Sequence, residues 1–190
     1  MGWSVKARVK RLLKRFRKAE RGVTAIEFAF VGPPFIYLLC CIFETGLMLF
    51  SEYVIENGIA SAARMIRTGQ VQSAAGMNKA AFKKLVCGKM ATFLVCDENL
   101  KIDIRTFPTF AAVNMPPAIV NGALSANVTA GAQFSCGGPS QVVVVRTYYT
   151  WKLFMPGVSK LANLNGGYRL LTSGAAFRNE PFPAPGAPAC

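Results

Sequence analysis

The chain has 190 residues, 22 basic against nine acidic side chains, a net charge of +13, a mean hydropathy of +0.32 and no histidine. That length leaves room for one anchor and one small domain, and the missing histidine excludes His-based triads, His metal ligands and the usual proton shuttle. The charge is uneven: residues 1–21 hold nine Lys/Arg and one Glu, a net +8, leaving +5 for the rest. A basic block of this kind points to membrane orientation rather than to a nucleic-acid partner.

Residues 1–20 intersperse Trp3, Val5, Val9, Leu12, Leu13 and Phe16 among the basic side chains at roughly helical spacing. They read either as an amphipathic helix on an anionic membrane surface or as a solvated basic leader. No groove-reading motif accompanies them, so no nucleic acid is expected as a partner.

The stretch Arg21–Phe50, RGVTAIEFAFVGPPFIYLLCCIFETGLMLF, organises the chain. No charged side chain lies between Phe28 and Phe43, and Glu27 and Glu44 flank this run. A bilayer's hydrocarbon core of about 30 Å needs about 20 mostly apolar residues. Phe28–Phe43 alone supplies about 24 Å of helix and Val23–Phe50 about 42 Å. The stretch reads as a single-pass membrane helix, because buried helices of soluble domains rarely run so long without a polar stripe. Pro33 and Pro34 remove backbone donors, which predicts a kink with local melting. The Lys/Arg excess before the span puts the N-terminus in the cytoplasm and the C-terminal part outside the inner membrane.

A secretory signal has its small-residue cleavage site after the apolar core. Here Gly22 precedes the run, so a cut after Gly22 leaves the helix on the mature protein with Val23 as its N-terminus. This arrangement, Arg21-Gly22-Val23-Thr24-Ala25-Ile26-Glu27-Phe28, resembles the prepilin-peptidase site of type IV pilin-like proteins. More narrowly, Arg21–Thr68 resembles the TadE family of Tad (Flp-type) pilus assembly proteins. The matching pieces are RGVTAIEFAFVGPPF, Glu44-Thr45-Gly46, and Asn57 through Ala62-Ala63-Arg64. The tail stretch Phe177-Arg178-Asn179-Glu180-Pro181-Phe182 also resembles the end of such proteins. Val23 departs from the Phe or Met that often follows the cut.

The resemblance implies processing between Gly22 and Val23, with prepilin peptidase, other pilin-like subunits and the Tad assembly machinery as partners. It also implies that Glu27 pairs with the N-terminal amine of a neighbouring subunit. On physical grounds a carboxylate in the bilayer costs about 2.5–3.5 kcal/mol at its centre, so a partner one helical turn away would relieve it. The plainer alternative is that Glu27 marks the cytoplasmic end of the helix. Glu44 is read either as an outer-interface residue or as a polar helix-packing contact in assembly.

Beyond Phe50, Ile55, Ile59, Ala62 and Ile66 recur on one helical face, and Gly69 marks the stop. One helix over about Val23–Thr68 would be roughly 69 Å long; two helices hinged near Phe50 are the alternative. Residues 71–77 read as a linker and Asn78–Leu94 as an amphipathic helix with Asn78 as N-cap. Leu100–Arg105 alternates as a half-buried strand continuing toward Val113, and 114–140 reads as loop. Gln141–Phe154 is the densest strand sequence, its basic and aromatic residues expected half in the core and half on a solvated edge. Tyr168–Arg178 is a third strand after a turn at Asn163–Gly167.

The expected fold class is α+β: a long N-terminal transmembrane helix, then a small periplasmic head of one or two helices on a three- to four-stranded antiparallel sheet. The expected divisions are a leader (1–22), the span (23–50), its periplasmic continuation (51–70), the head (71–182) and a Pro-rich tail (183–190). Cys40 and Cys41 lie in the span. Cys87, Cys96, Cys136 and Cys190 lie in the exported part and allow three pairings, of which Cys87–Cys96 with Cys136–Cys190 is preferred. A zinc site would want His or C-x-x-C, and neither occurs. No metal, cofactor or catalytic set is expected. The functional expectation is a non-enzymatic, minor pilin-like subunit needed for Tad pilus assembly. The alternatives are an unprocessed single-pass envelope protein whose head binds proteins, and a membrane-tethered hydrolase.

Overall fold

The computed structural model describes residues 9–10, 23–90, 94–183 and 190. The expected basic leader with Gly22 and most of the Pro-rich tail thus lie outside the described residues. The protein is α+β and divides into two units, residues 1–43 and 44–190.

Helix α1 runs Val23–Arg67 and is long and apolar enough to cross a membrane. In the first unit its side chains, among them Phe28, Phe30, Phe35 and Phe43, are exposed. Pro33 and Pro34 sit inside the helix without breaking it. The expected melting does not occur, because two missing donors are a local loss in a helix propagated from both sides.

In the second unit α1 becomes a core element. Met48, Ser51, Ile55, Ile59, Ala62 and Ile66 form a buried stripe at helical spacing. Gly58 admits a close neighbour: a Cβ there would stand 3.2 Å from Met90 and 3.7 Å from the Val86 carbonyl. The helix stops at Gly69, whose φ of 79° suits a residue without a Cβ. The segment expected as a linker begins instead with a helical turn, α2 (Gln70–Ser73). Val71 and Gln72 are buried in it, and the Gln72 amide donates to the carbonyls of Ile66, Cys136 and Gly137.

Helix α3 (Lys79–Cys87) starts where Asn78 accepts from the Ala81 N–H at 2.9 Å. It ends at Gly88 rather than Leu94, and that early stop lets Cys87 reach Cys96 in the short turn α4 (Cys96–Asn99), with Cα atoms 5.9 Å apart. The second disulfide joins Cys136 to Cys190.

The sheet is β1 (Leu100–Phe107), β4 (Val142–Lys152) and β5 (Tyr168–Arg178), antiparallel in the order β1-β4-β5. Strand β1 ends before Pro108 and does not continue to Val113. The stretch 114–140 is more than loop. It holds a small hairpin, β2 (Ile119–Val120) and β3 (Ala123–Leu124), and a helical turn α5 (Ala126–Thr129). The hairpin turns at Asn121-Gly122 with φ of 51° and 73°, the geometry that this dipeptide favours.

This stretch covers the outer face of the sheet, burying Val128, Tyr148 and Leu170 together. Strand β4 is accordingly central and buried on both faces, against the expected half-solvated edge. Asp103, expected in solvent, is buried for the same reason. It accepts the Gln133 N–H at 2.7 Å and pairs with Arg105 at 2.9 Å. On the inner face Val143, Val145, Leu171, Ile102 and Ile104 join Phe82, Val86 and the α1 isoleucines in the main core.

Two outcomes follow for the second unit. Removing Cys136–Cys190, which closes 54 residues, is expected to cost about 4 kcal/mol, and removing Cys87–Cys96, which closes nine, about 3 kcal/mol; denaturant unfolding of Ser variants in detergent checks the order. Burial lifts the phenols of Tyr148 and Tyr149 above the ordinary 10.0, Arg146 opposing it at Tyr148 and Asn99 at Tyr149. Unfolded tyrosines therefore lose their protons first. Their contribution is fully present below pH 10 and is lost as pH rises through the higher folded values, readable as a melting temperature that drops on the alkaline side.

Candidate functional site

The groups with functional character gather at the two ends of the buried part of α1. At its first turn stands Glu44, 7% exposed. Strand β4 ends at Lys152, and the Leu153 N–H still bonds to Gly167 at 3.0 Å. The next two donors, at Phe154 and Met155, have passed the sheet, and Pro156 then opens a 3-10 turn (Pro156–Leu161) with no donor of its own. Glu44 meets both: Oε1 accepts from the Phe154 N–H and Oε2 from the Met155 N–H at 2.9 Å. One carboxylate thus satisfies two backbone groups that would otherwise be costly to bury.

At the other end the Phe177–Phe182 stretch clasps the end of α1. The Glu180 N–H donates to the Arg67 carbonyl at 2.9 Å, satisfying one of the helix's last acceptors. The Arg67 guanidinium donates to Glu180 Oε1 from Nε at 3.1 Å and Nη2 at 2.9 Å. Half-exposed, that ion pair itself adds little. The ring of Phe182 lies on Gly69, where a Cβ would come within 2.6 Å of it. Asn179 is buried and donates to the carbonyls of Cys136 and Gly138, beside the disulfide to Cys190.

The other residues singled out in the sequence are dispersed. Glu27 is exposed in the first unit, remote in sequence from Glu44, and Val23 begins α1. Among the acidic residues of the sheet and the C-terminal stretch, Asp103 is engaged with Arg105 and Glu180 with Arg67. Among the described residues no group of His, Cys, Asp or Glu could hold a metal ion. The side of α1 opposite its buried stripe keeps Leu47, Leu49, Phe50 and Tyr53 exposed. The arrangement is therefore suited to binding through apolar helix surface.

No local pattern pointed to the partners of Glu44, because they lie 110 and 111 residues away. The clasp had one signal, the resemblance of Phe177–Phe182 to a family ending, which named the segment without its contacts. Replacing Glu44 by Gln puts an amide donor against two N–H groups and removes the charge, an expected cost of about 1.5–3 kcal/mol. Denaturant unfolding in detergent, followed by Trp151 fluorescence, measures it.

The family model described as "TadE-like protein" matches residues 22–64. No curated protein and no solved structure matches the chain. The match covers the apolar run, Glu27, Glu44 and most of the buried stripe of α1. Over residues 22–64 this chain is similar to the TadE-like family.

Proposed function

We propose that this protein is a minor pilin-like membrane subunit needed to assemble Tad (Flp-type) pili, and that it is not an enzyme. The observation that carries the reading is the TadE-like match over a helix whose first-unit side chains stand exposed. Such a surface suits a bilayer and, equally, the helices of other pilin-like subunits. The basic leader keeps the N-terminus in the cytoplasm, and the head lies in the periplasm, outside the inner membrane.

Prepilin peptidase cuts between Gly22 and Val23. The new ammonium at Val23 is about one helical turn from Glu27 along the chain. Within the bilayer an unpaired carboxylate is costly. Pairing Glu27 with the Val23 amine of a neighbouring subunit removes that cost as helices associate. The head, fastened to α1 through Glu44 and the Phe177–Phe182 clasp, presents its surface to partners outside the membrane.

Intact-mass measurement of the mature chain tests the processing step: a start at Val23 is expected, and an intact leader would favour an unprocessed envelope protein with a binding head. Replacing Gly22 by Ala or a bulkier residue is expected to leave uncut precursor. The Glu27→Leu variant is expected to insert normally but to lower pilus yield on the cell surface; undiminished yield would overturn the pairing.

A further inference from the structure

The segment from the last residue of β4 through the 3-10 turn, residues 152–161 (KLFMPGVSKL), carries apolar side chains and two lysines and no acid. Phe154 is 73% exposed, among the highest of any large apolar residue in the second unit. Its backbone is nevertheless fixed, since Glu44 holds the N–H groups of Phe154 and Met155. The Lys152 ammonium lies over the Phe154 ring, 6.0 Å from its centre, and Lys160 is exposed on the 3-10 turn. A rigid backbone thus presents an aromatic ring in solvent with one cation over it and a second on the turn that follows.

The position of the anchor says what this tip faces. Glu44 is the first charged residue after the uncharged run Phe28–Phe43. It belongs to the same helix and is followed by exposed Leu47, Leu49 and Phe50. If α1 crosses a bilayer, Glu44 lies where hydrocarbon gives way to head groups, and a loop bonded to Glu44 lies at that depth. Isolated exposed apolar residues are ordinary on soluble surfaces. An aromatic ring with flanking lysines at a membrane boundary is the composition that partitions into the interface.

The geometry points to the 152–161 loop as a second membrane contact, with the Phe154 ring at the acyl boundary and Lys152 and Lys160 on anionic lipid phosphates of the outer leaflet. The inference rests on the spanning role proposed for α1 and adds a contact that orients the head against the bilayer. The role of Glu44 is then to position the loop.

The test uses the full chain in vesicles of phosphatidylcholine with phosphatidylglycerol, carrying the photoreactive amino acid p-benzoylphenylalanine at one position at a time. Position 154 is expected to yield lipid adducts by mass spectrometry, while position 120, exposed on β2, yields none. Replacing Lys152 or Lys160 by Gln is expected to lower the phosphatidylglycerol adduct at 154 about fivefold each, as one lysine near an anionic surface implies. The Glu44→Gln variant is expected to lower it as well, with the adduct at position 35 in the span unchanged. An adduct at 35 without one at 154 overturns this inference and leaves the span intact. Absence at both overturns the spanning role together with it. Cross-links from 154 to a second copy of the chain overturn it in favour of an interface between copies.

Discussion

The head depends on the burial of one face of α1. Ile55, Ile59 and Ile66 are each essentially inaccessible, and such side chains contribute roughly 1.5–3 kcal/mol apiece when removed from water. The sheet offers Val143, Val145 and Leu171 to this face, and α3 offers Phe82 and Val86. Without the helix, the inner side of a three-stranded sheet would have little to pack against. A sheet of this size needs a covering layer to be stable in water. The helix whose first part is long and apolar enough to cross a membrane therefore supplies one wall of the head's core in its second.

Non-covalent fastenings hold the buried stripe at its two limits. Glu44 takes the two donors released where β4 leaves the sheet, and Glu180 returns a donor to the Arg67 carbonyl where α1 ends. Both join residues more than a hundred positions apart in the chain, so each closes a long loop once the core has formed. The Cys136–Cys190 bridge reinforces the second fastening through Asn179, which bonds the carbonyl of Cys136 itself. Away from the buried stripe, Leu47, Leu49, Phe50 and Tyr53 are exposed.

Much of this was legible from local pattern. The i, i+4, i+7, i+11 spacing of Ile55, Ile59, Ala62 and Ile66 gave the buried face, Gly69 the stop, Asn78 the cap, and Tyr168–Arg178 a strand with its exact limits. The misreadings share a cause. Alternation in Leu100–Arg105 implied a solvated face, yet Asp103 is covered because residues 131–135 fold against it, the Ile104 N–H bonding Gln133 and the Ser135 N–H bonding Ile104. The Asn121-Gly122 turn was available as a signal, but Pro and Gly on either side made the whole stretch read as loop.

By itself the amino-acid sequence determined the apolar run, the charge block before it, the order of the long helices and strands, and the candidate processing position, because each of these depends on neighbours within a few residues. Tertiary structure decided that β4 is covered on both faces, that Asp103 is buried, and that Glu44 serves the chain's own backbone. Those outcomes depend on which distant segments come together, and neither periodicity nor spacing encodes the partner of a carboxylate 110 residues from the donor it meets.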